Sequence, residues 1–182
     1  EGLSKKLIVL DLDNTLWGGV VGENGWEGIT LGGHDFKGEA FVDFQRNLKR
    51  FSHRGIQLAI ISKNDESVAL DAIKNHPEMV LNIEDFVSWR INWNDKAENL
   101  LDLVKEINIG LDSVVFLDDN PAERSRVRNA FAEVLVPDLP EDITLYSSLL
   151  NSLDCFNTSS ITEEDKNRTA MYVSQIQRNK SI

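Results

Sequence analysis

Three short apolar runs in this chain are each followed directly by polar residues. They are "LIVL" at residues 7–10, "IQLAII" at 56–61 and "SVVFL" at 113–117. Runs of this kind are typical of strands buried on both faces of a parallel sheet. Because helical patterns separate them, the sequence predicts an α/β fold, a three-layer sandwich around a mostly parallel sheet.

Apolar residues recur at helical spacing between and after these runs. A short strand is also predicted at 133–136. The predicted helices cover about 41–51, 68–73, 97–107, 121–131, 141–153 and a charged C-terminal extension at about 160–182.

The segment at about 16–33 is rich in glycine, with "GENG" between "VV" and "WEGITL". Such a pattern favours a β-hairpin, which would form a flap next to the first strand. Only this flap and one helix fit between the first two strands. The sequence therefore predicts no large inserted cap domain.

Size and composition narrow the class of protein. A length of 182 residues fits one domain over 1–182, and a net charge of -11 argues against nucleic acid as a partner. No apolar run approaches the ~20 residues that a membrane span needs. Cys155 is the single cysteine, which excludes an internal disulfide and favours a cytoplasmic setting. The chain begins at Glu1 without a methionine, so we expect it to be part of a longer polypeptide.

Polar side chains gather where the predicted strands end. Asp11 and Asp13 follow the first strand, Ser62 the second, and Asp118 with Asp119 the third. In an open parallel sheet, ligands bind beyond the carboxyl ends of the strands. The sequence therefore predicts one site at this edge, and Lys96 joins it from the start of the helix before the third strand.

Several carboxylates in one pocket repel each other unless a cation lies between them. Mg²⁺ is the usual cation where carboxylates and a phosphate complete the ligand shell. Lys96 and the hydroxyl of Ser62 would then suit the remaining phosphate oxygens. The residues thus predict a Mg²⁺ and phosphate site.

Simpler interpretations exist for each residue. Asp11 and Asp13 could be turn or helix-cap residues, Ser62 another cap, Lys96 a solvated lysine and Asp119 a structural residue. The arginines of the helix after Pro121 are most simply a solvated face, and the alternative is that they bind a substrate anion or a carrier protein. They are Arg124, Arg126 and Arg128.

"DLDNT" resembles the DxDxT motif of the haloacid dehalogenase (HAD) superfamily, and "IISKN", Lys96 and "VFLDDN" resemble its other three motifs. The resemblance implies that Asp11 attacks a phosphoryl group and that Asp13 acts as general acid and then base. It implies a Mg²⁺ site made by the carboxylates of Asp11 and Asp118 and the backbone carbonyl of Asp13, with Asp119 in support. Thr15, Ser62 and Lys96 would bind the phosphate.

Longer blocks resemble one family within that superfamily, the FkbH-like glyceryl transferase/phosphatase domains of polyketide synthases. The resemblance covers roughly residues 5–172. It implies removal of phosphate from 1,3-bisphosphoglycerate, transfer of the glyceryl unit to an acyl carrier protein, and other synthase domains in the same polypeptide. The blocks are "DLDNTLWGGVVGE", "GEAFVDFQRNLK", "SKNDE", "HPEM", "NWNDKAENL", "NIGLDSVVFLDDNPAERSRVR" and "VPDLP".

Acyl transfer can pass through an enzyme thioester, for which Cys155 is the candidate thiol. The alternative for Cys155 is a small buried apolar residue. Two other functions stay open: a HAD phosphatase that hydrolyses a small phosphate ester without acyl transfer, and a non-catalytic docking domain of a synthase. The docking domain is disfavoured because the motif residues are intact: Asp11, Asp13, Lys96 and Asp118.

Overall fold

Four parallel strands form the centre of the fold. A computed structural model of the chain describes residues 4–153 and 155–156. The strands are β1 (Leu7–Leu10), β2 (Gln57–Ser62), β3 (Phe86–Ile91) and β4 (Val114–Leu117). Their order across the sheet is β3-β2-β1-β4. β1 therefore lies inside the sheet between β2 and β4.

Helices follow the strands, and side-chain caps fix where the long ones begin. Asp35, Asp65 and Asp95 each accept a backbone hydrogen bond in the first turn of the helix that follows. The α-helices of the described residues are α1 (Val21–Asn24), α2 (Phe36–His53), α3 (Glu66–Asn75), α4 (Lys96–Ile107), α5 (Pro121–Ala130) and α6 (Tyr146–Ser152).

Alternating side chains of β1 enter two separate cores. Ile8 and Leu10 pack in an apolar cluster with buried residues of α2, α3 and α6. Leu7 and Val9 pack on the other face with buried residues of α4 and α5. Because helices cover both faces, the strands are apolar throughout, as in other buried parallel sheets. The predicted three-layer α/β sandwich is confirmed.

The flap differs from the predicted hairpin. Gly18 and Thr30 exchange two backbone hydrogen bonds of 2.8 Å each, as hairpin strands would. Between them, however, the chain forms α1 and a 3-10 turn at Trp26–Gly28. Val21 is fully buried in the core, and this inward anchor favours a compact helical turn over extended strands. The hairpin prediction is therefore wrong for this stretch.

Other predictions at the level of elements have mixed outcomes. Between β1 and β2 the chain forms only the flap and α2, so no large cap domain is inserted there, as predicted. The predicted strand at 133–136 is reduced to a single bridge between Val115 and Leu135. The predicted extension at 160–182 lies outside the described residues. Among the helices of the described segments, none has the length and apolarity that a bilayer crossing needs.

Candidate active site

The carboxyl ends of β1 and β4 bring two aspartates side by side. Leu10 pairs with Leu117 in the parallel register, and Asp11 and Asp118 are the next residues. The backbone N–H of Asp11 donates to the carbonyl of Leu117 at 3.1 Å, which continues the pairing by one step. The sheet register thus fixes the position of both carboxylates.

Lys96, the first residue of α4, contacts both carboxylates. Its Nζ lies 3.2 Å from Asp11 Oδ1 and 2.6 Å from Asp118 Oδ2. All three residues are buried. Burial by itself would lower the pKa of Lys96, but Asp11 and Asp118 outweigh that effect and raise its pKa above the usual value. Lys96 is therefore a permanent positive charge in the site.

The single positive charge of Lys96 does not fully offset the negative charges of the carboxylates. Burial raises the pKa of Asp11 to about 7, with a further increase from Asp119, although Lys96 acts in the opposite direction. Burial and the charge of Asp11 raise the pKa of Asp118 to about 6. A second cation would stabilise the ionised forms of both groups.

Three carboxylates are arranged to hold such a cation. One oxygen each of Asp11, Asp118 and Asp119 lies within 4.8 Å of the other two. These are hard oxygen donors, and only Asp119 among them is not fully buried, so the donor set fits Mg²⁺ with water or phosphate oxygens completing its shell. Thr15 is fully buried, and its hydroxyl donates to Asp119 Oδ1 at 3.2 Å. This contact places Thr15 beside Asp119, and phosphate binding by Thr15 stays a prediction.

Asp13 lies beside this group, and the flap holds its side chain. Asp13 Oδ1 accepts hydrogen bonds from Trp17 Nε1 at 2.9 Å and from the N–H of Val21 at 3.0 Å. Asp13 Oδ2 accepts one from Asn64 Nδ2 at 3.0 Å. The predicted metal contact of Asp13 used its backbone carbonyl, and that role stays a prediction. The three donors fix the carboxylate next to Asp11.

Ser62 is connected to Asp13 through Asn64, whose Nδ2 also donates to Ser62 Oγ at 3.0 Å. Both Ser62 and Asn64 are buried. Since Ser62 accepts this bond, its own hydrogen is left to donate, although the hydroxyl does not line the pocket over Asp11. Phosphate binding by Ser62 therefore stays a prediction.

Two adjoining cavities lie over these residues. A pocket of about 200 Å³ is lined by the carboxylates, Lys96 and Lys63. A larger cleft of about 570 Å³ shares Asn14 and Asp119 with it. Lys63 forms an ion pair with Glu123 of 3.1 Å, and both line the small pocket. The large cleft therefore borders the small pocket at these two residues.

Sequence reasoning missed several residues that support the site. Arg124 is only 9% exposed, contrary to the solvated face predicted for its helix, and its Nη1 donates to the carbonyls of Asp118 and Asp119 at 3.0 Å each. Tyr146 donates to the carbonyl of Asn14 at 3.1 Å, and burial raises its pKa to about 12. The position of Asn64 two residues after Ser62 was the available signal, since both then face one side.

The other two arginines of α5 bind exposed carboxylates, as expected for a solvated face. Arg126 Nε and Nη2 contact the two oxygens of Asp95 at 2.9 and 3.0 Å. Arg128 Nη2 contacts Asp138 at 2.6 Å. Neither arginine lines the two cavities.

The structure does not bring Cys155 into this site. Its carbonyl accepts the N–H of Lys5 at 3.0 Å, so it lies at the amino end of β1. Asp11 lies at the carboxyl end, and six residues of extended chain separate Lys5 from Asp11 by on the order of 20 Å. Cys155 is half-buried and packs against the core around Ile8. This geometry favours the packing interpretation over the predicted acyl-carrying thiol.

Solved structures of other proteins resemble the chain. The first is the N-terminal part of the protein BF1531 from Bacteroides fragilis, which contains a phosphatase domain and is complexed with Mg. It is 47% identical, with a TM-score of 0.84 over 87% of this chain. The match covers 42% of that chain, so the present chain spans less than half of it.

The second is a HAD-superfamily hydrolase from Ehrlichia chaffeensis. It is 15% identical, with a TM-score of 0.51 over 84% of this chain and 100% of that chain, and this likeness concerns the fold alone. No family model and no curated protein matches the chain. The likeness in fold to a HAD-superfamily hydrolase confirms the predicted fold class.

Proposed function

We propose that this chain, whose fold is that of HAD-type phosphatase domains, is a Mg²⁺-dependent phosphatase that forms an aspartyl-phosphate on Asp11. The observation that carries the proposal is the buried contact of Lys96 with Asp11 and Asp118, beside the three-carboxylate group that includes Asp119. The Mg-complexed phosphatase domain of BF1531, 47% identical, supports the choice of metal.

The reaction follows from the positions of Asp11 and Asp13. An oxygen of Asp11 bonds to phosphorus while the bond to the leaving oxygen breaks, and Asp13 gives that oxygen a proton. Water then attacks the aspartyl-phosphate, its proton passes to Asp13, and inorganic phosphate leaves. Lys96 offsets the charge of Asp11 and of the phosphoryl oxygens throughout. Bound Mg²⁺ would supply further positive charge to those oxygens.

The hydrogen bonds of Asp13 suit this role. The donors from Trp17, Val21 and Asn64 fix the carboxylate in one orientation. A general acid must lie within hydrogen-bond reach of the leaving oxygen. A carboxylate that is already fixed in one orientation loses less conformational entropy when it reaches that geometry. We therefore assign proton transfer to Asp13 and its positioning to Trp17 and Asn64.

We propose that the substrate is 1,3-bisphosphoglycerate. Its glyceryl unit would then pass to an acyl carrier protein of a polyketide synthase. The sequence blocks of the FkbH-like family support this proposal, and the cleft beside the small pocket leaves room for a second reactant. Other synthase domains in the same polypeptide would deliver the carrier.

The chemistry decides which end of that substrate reacts with Asp11. Attack on phosphorus of the acyl phosphate would release a free carboxylate and lose the activated acyl group. Asp11 must therefore act on the phosphate ester. A thiol attacks the acyl carbon, forming a thioester and releasing the acyl phosphate group as phosphate. Because Cys155 lies at the opposite edge of the sheet, we assign this thiol to the phosphopantetheine of the carrier.

The test combines phosphate release with intact mass. The chain is mixed with Mg²⁺, 1,3-bisphosphoglycerate and a carrier protein bearing phosphopantetheine, in parallel with Asp11→Asn and Cys155→Ala variants. We expect a glyceryl adduct on the carrier, loss of ester-phosphate release in Asp11→Asn, and no change in Cys155→Ala.

Each alternative has its own outcome. Asp11-dependent phosphate release without an adduct would leave a plain phosphatase. An adduct that requires Cys155 would restore the enzyme thioester. With no reaction at all, a docking domain would be the better account, although a domain that had lost its activity would not be expected to keep this site intact.

A further inference from the structure

The cleft of about 570 Å³ is far larger than a phosphoryl group on Asp11 requires. It borders the small pocket at Asn14 and Asp119, so a ligand whose phosphoryl group is at Asp11 has the cleft next to it as space for its other end. Ligand pockets of this size hold a whole small molecule and orient it with a few polar groups. The polar groups that line the cleft therefore indicate the chemical character of the other end of the ligand.

Arg124 is a buried cation with unused donors in the wall of this cleft. It is 9% exposed, and its Nη1 alone makes hydrogen bonds, to the carbonyls of Asp118 and Asp119. Its Nε is buried and lies 3.4 Å from the carboxylate of Asp138, so Nη2 is the donor left for a ligand. A guanidinium matches the oxygens of a carboxylate or phosphate well, and such a hydrogen bond between charged groups is stronger than one between neutral groups.

Lys37 adds a second positive charge to the wall of the cleft. It lies in the first turn of α2 and is exposed. Two carboxylates also line the cleft: Asp119 belongs to the metal group, and Glu141 is exposed to solvent. If Mg²⁺ offsets Asp119, the buried part of the cleft presents net positive charge in a protein whose net charge is -11.

We propose that Arg124 and Lys37 bind a second anionic group, carboxylate or phosphate, of the substrate whose phosphoryl group reacts at Asp11. This inference rests on the phosphatase function proposed above and narrows it to small phosphorylated compounds with a negative charge at the other end. Such a contact fixes the substrate at both ends and raises specificity over analogues that lack the second anionic group.

A matched pair of substrates tests the proposal. Phenyl phosphate and 4-carboxyphenyl phosphate differ only in the second anion, and 1,4-phenylene bisphosphate replaces that carboxylate by phosphate. KM, kcat and the dissociation constant are measured for each, with Mg²⁺ present. For the wild type we expect one or both of the compounds with a second anionic group to bind about tenfold more tightly than phenyl phosphate, the effect of one charge-assisted contact.

The variants separate the cleft from general charge effects. Lys37→Glu should remove most of the preference for the second anion, measured as the ratio of the dissociation constants of 4-carboxyphenyl phosphate and phenyl phosphate. The control Lys105→Glu makes the same charge change at an exposed residue of α4, on the other side of the sheet, and should keep the preference. Arg124→Lys should reduce the preference through KM, with Mg²⁺ dependence monitored because Arg124 also holds the loop of Asp118.

Equal affinity for all three compounds in the wild type would overturn the inference, as would an equal effect of Lys37→Glu on each. Failure of the phosphatase function gives a different pattern. In that case none of the compounds is turned over, while the ratio of dissociation constants still decides whether the cleft recognises a second anion.

Discussion

At the scale of single residues, the arrangement around Lys96 shows what positions the chemistry. Asp11, Lys96 and Asp118 were predictable because each stands where a strand or helix of a parallel sheet must place it. The contacts of Thr15 and Arg124 were not predictable, because they depend on which loop atoms these side chains reach after folding. Thr15 binds Asp119, and Arg124 binds two carbonyls of the same loop. Spacing along the chain contains no direct signal for such contacts.

The pKa values of Asp11 and Asp118 predict how Mg²⁺ binding depends on pH. Burial raises them to about 7 and about 6, above the ordinary 3.8 that applies when the chain is unfolded. The folded, metal-free protein therefore binds protons more tightly than the unfolded chain, and it loses stability as pH rises from 3.8 through these values. Mg²⁺ needs the ionised carboxylates and offsets that loss.

We expect the increase in Tm caused by Mg²⁺ to be small at about pH 5 and to reach its full size at about pH 8, because protons compete with the metal. Thermal unfolding with Mg²⁺ or with a chelator at each pH measures it. In Asp11→Asn the dependence on pH should shrink. An increase in Tm that is the same at both pH values would contradict the assignment of Asp11 and Asp118.

The indole of Trp17 provides a second residue-scale prediction. Trp17→Phe keeps a buried ring but removes the 2.9 Å hydrogen bond to Asp13. We expect kcat to fall about 10- to 100-fold with KM nearly unchanged, part of the contribution that general acid catalysis makes. Steady-state kinetics measure both constants. Trp26→Phe, whose ring contacts His76 and not Asp13, is the control. A change in KM alone would contradict a positioning role.

At the scale of elements, the strands and long helices followed from apolar periodicity and caps, whereas the flap did not. "GENG" has the residues of a hairpin turn, but Val21 is fully buried and its N–H donates to Asp13. These tertiary contacts favour α1 over extended strands. The local sequence preferences of the segment do not predict such contacts. The flap is thus shaped by the same aspartate that it holds in place.

Two glycines of the flap make this packing testable. A Cβ at Gly18 would lie 3.0 Å from Thr30 Cβ and 3.1 Å from Phe41 Cε2, whereas one at Gly22 would meet only Asn64 Oδ1 at 3.6 Å. We expect Gly18→Ala to cost about 1 to 3 kcal/mol by overpacking. Gly22→Ala, in α1, should be neutral or stabilise by about 0.5 to 1 kcal/mol.

Urea unfolding of the two variants, side by side with the wild type, gives both free energies. Both substitutions add one methyl group, a few residues apart, so the two variants have the same composition and differ only in the position of that group. Equal stability of the two variants would show that Gly18 does not pack closely under Thr30 and Phe41.

At the scale of the whole molecule, the parallel sheet separates two ends with different roles. The carboxyl edge gathers Asp11, Asp118 and Lys96, and the amino edge holds Cys155 against Lys5. The α/β class and the edge of the site were predictable, because parallel strands all end on the same side. The position of Cys155 was not, since the path of the chain after α6 has no strand register to fix it.

The central claim is that Asp11 carries the phosphoryl group, and borohydride trapping tests it most directly. The chain is mixed with Mg²⁺ and a phosphorylated substrate and quenched with borohydride, which reduces an aspartyl-phosphate to homoserine. Peptide mass spectrometry should then find homoserine at position 11, and not when Mg²⁺ is chelated. Phosphate release that continues in Asp11→Asn, or that proceeds while position 11 remains aspartate, would contradict the account.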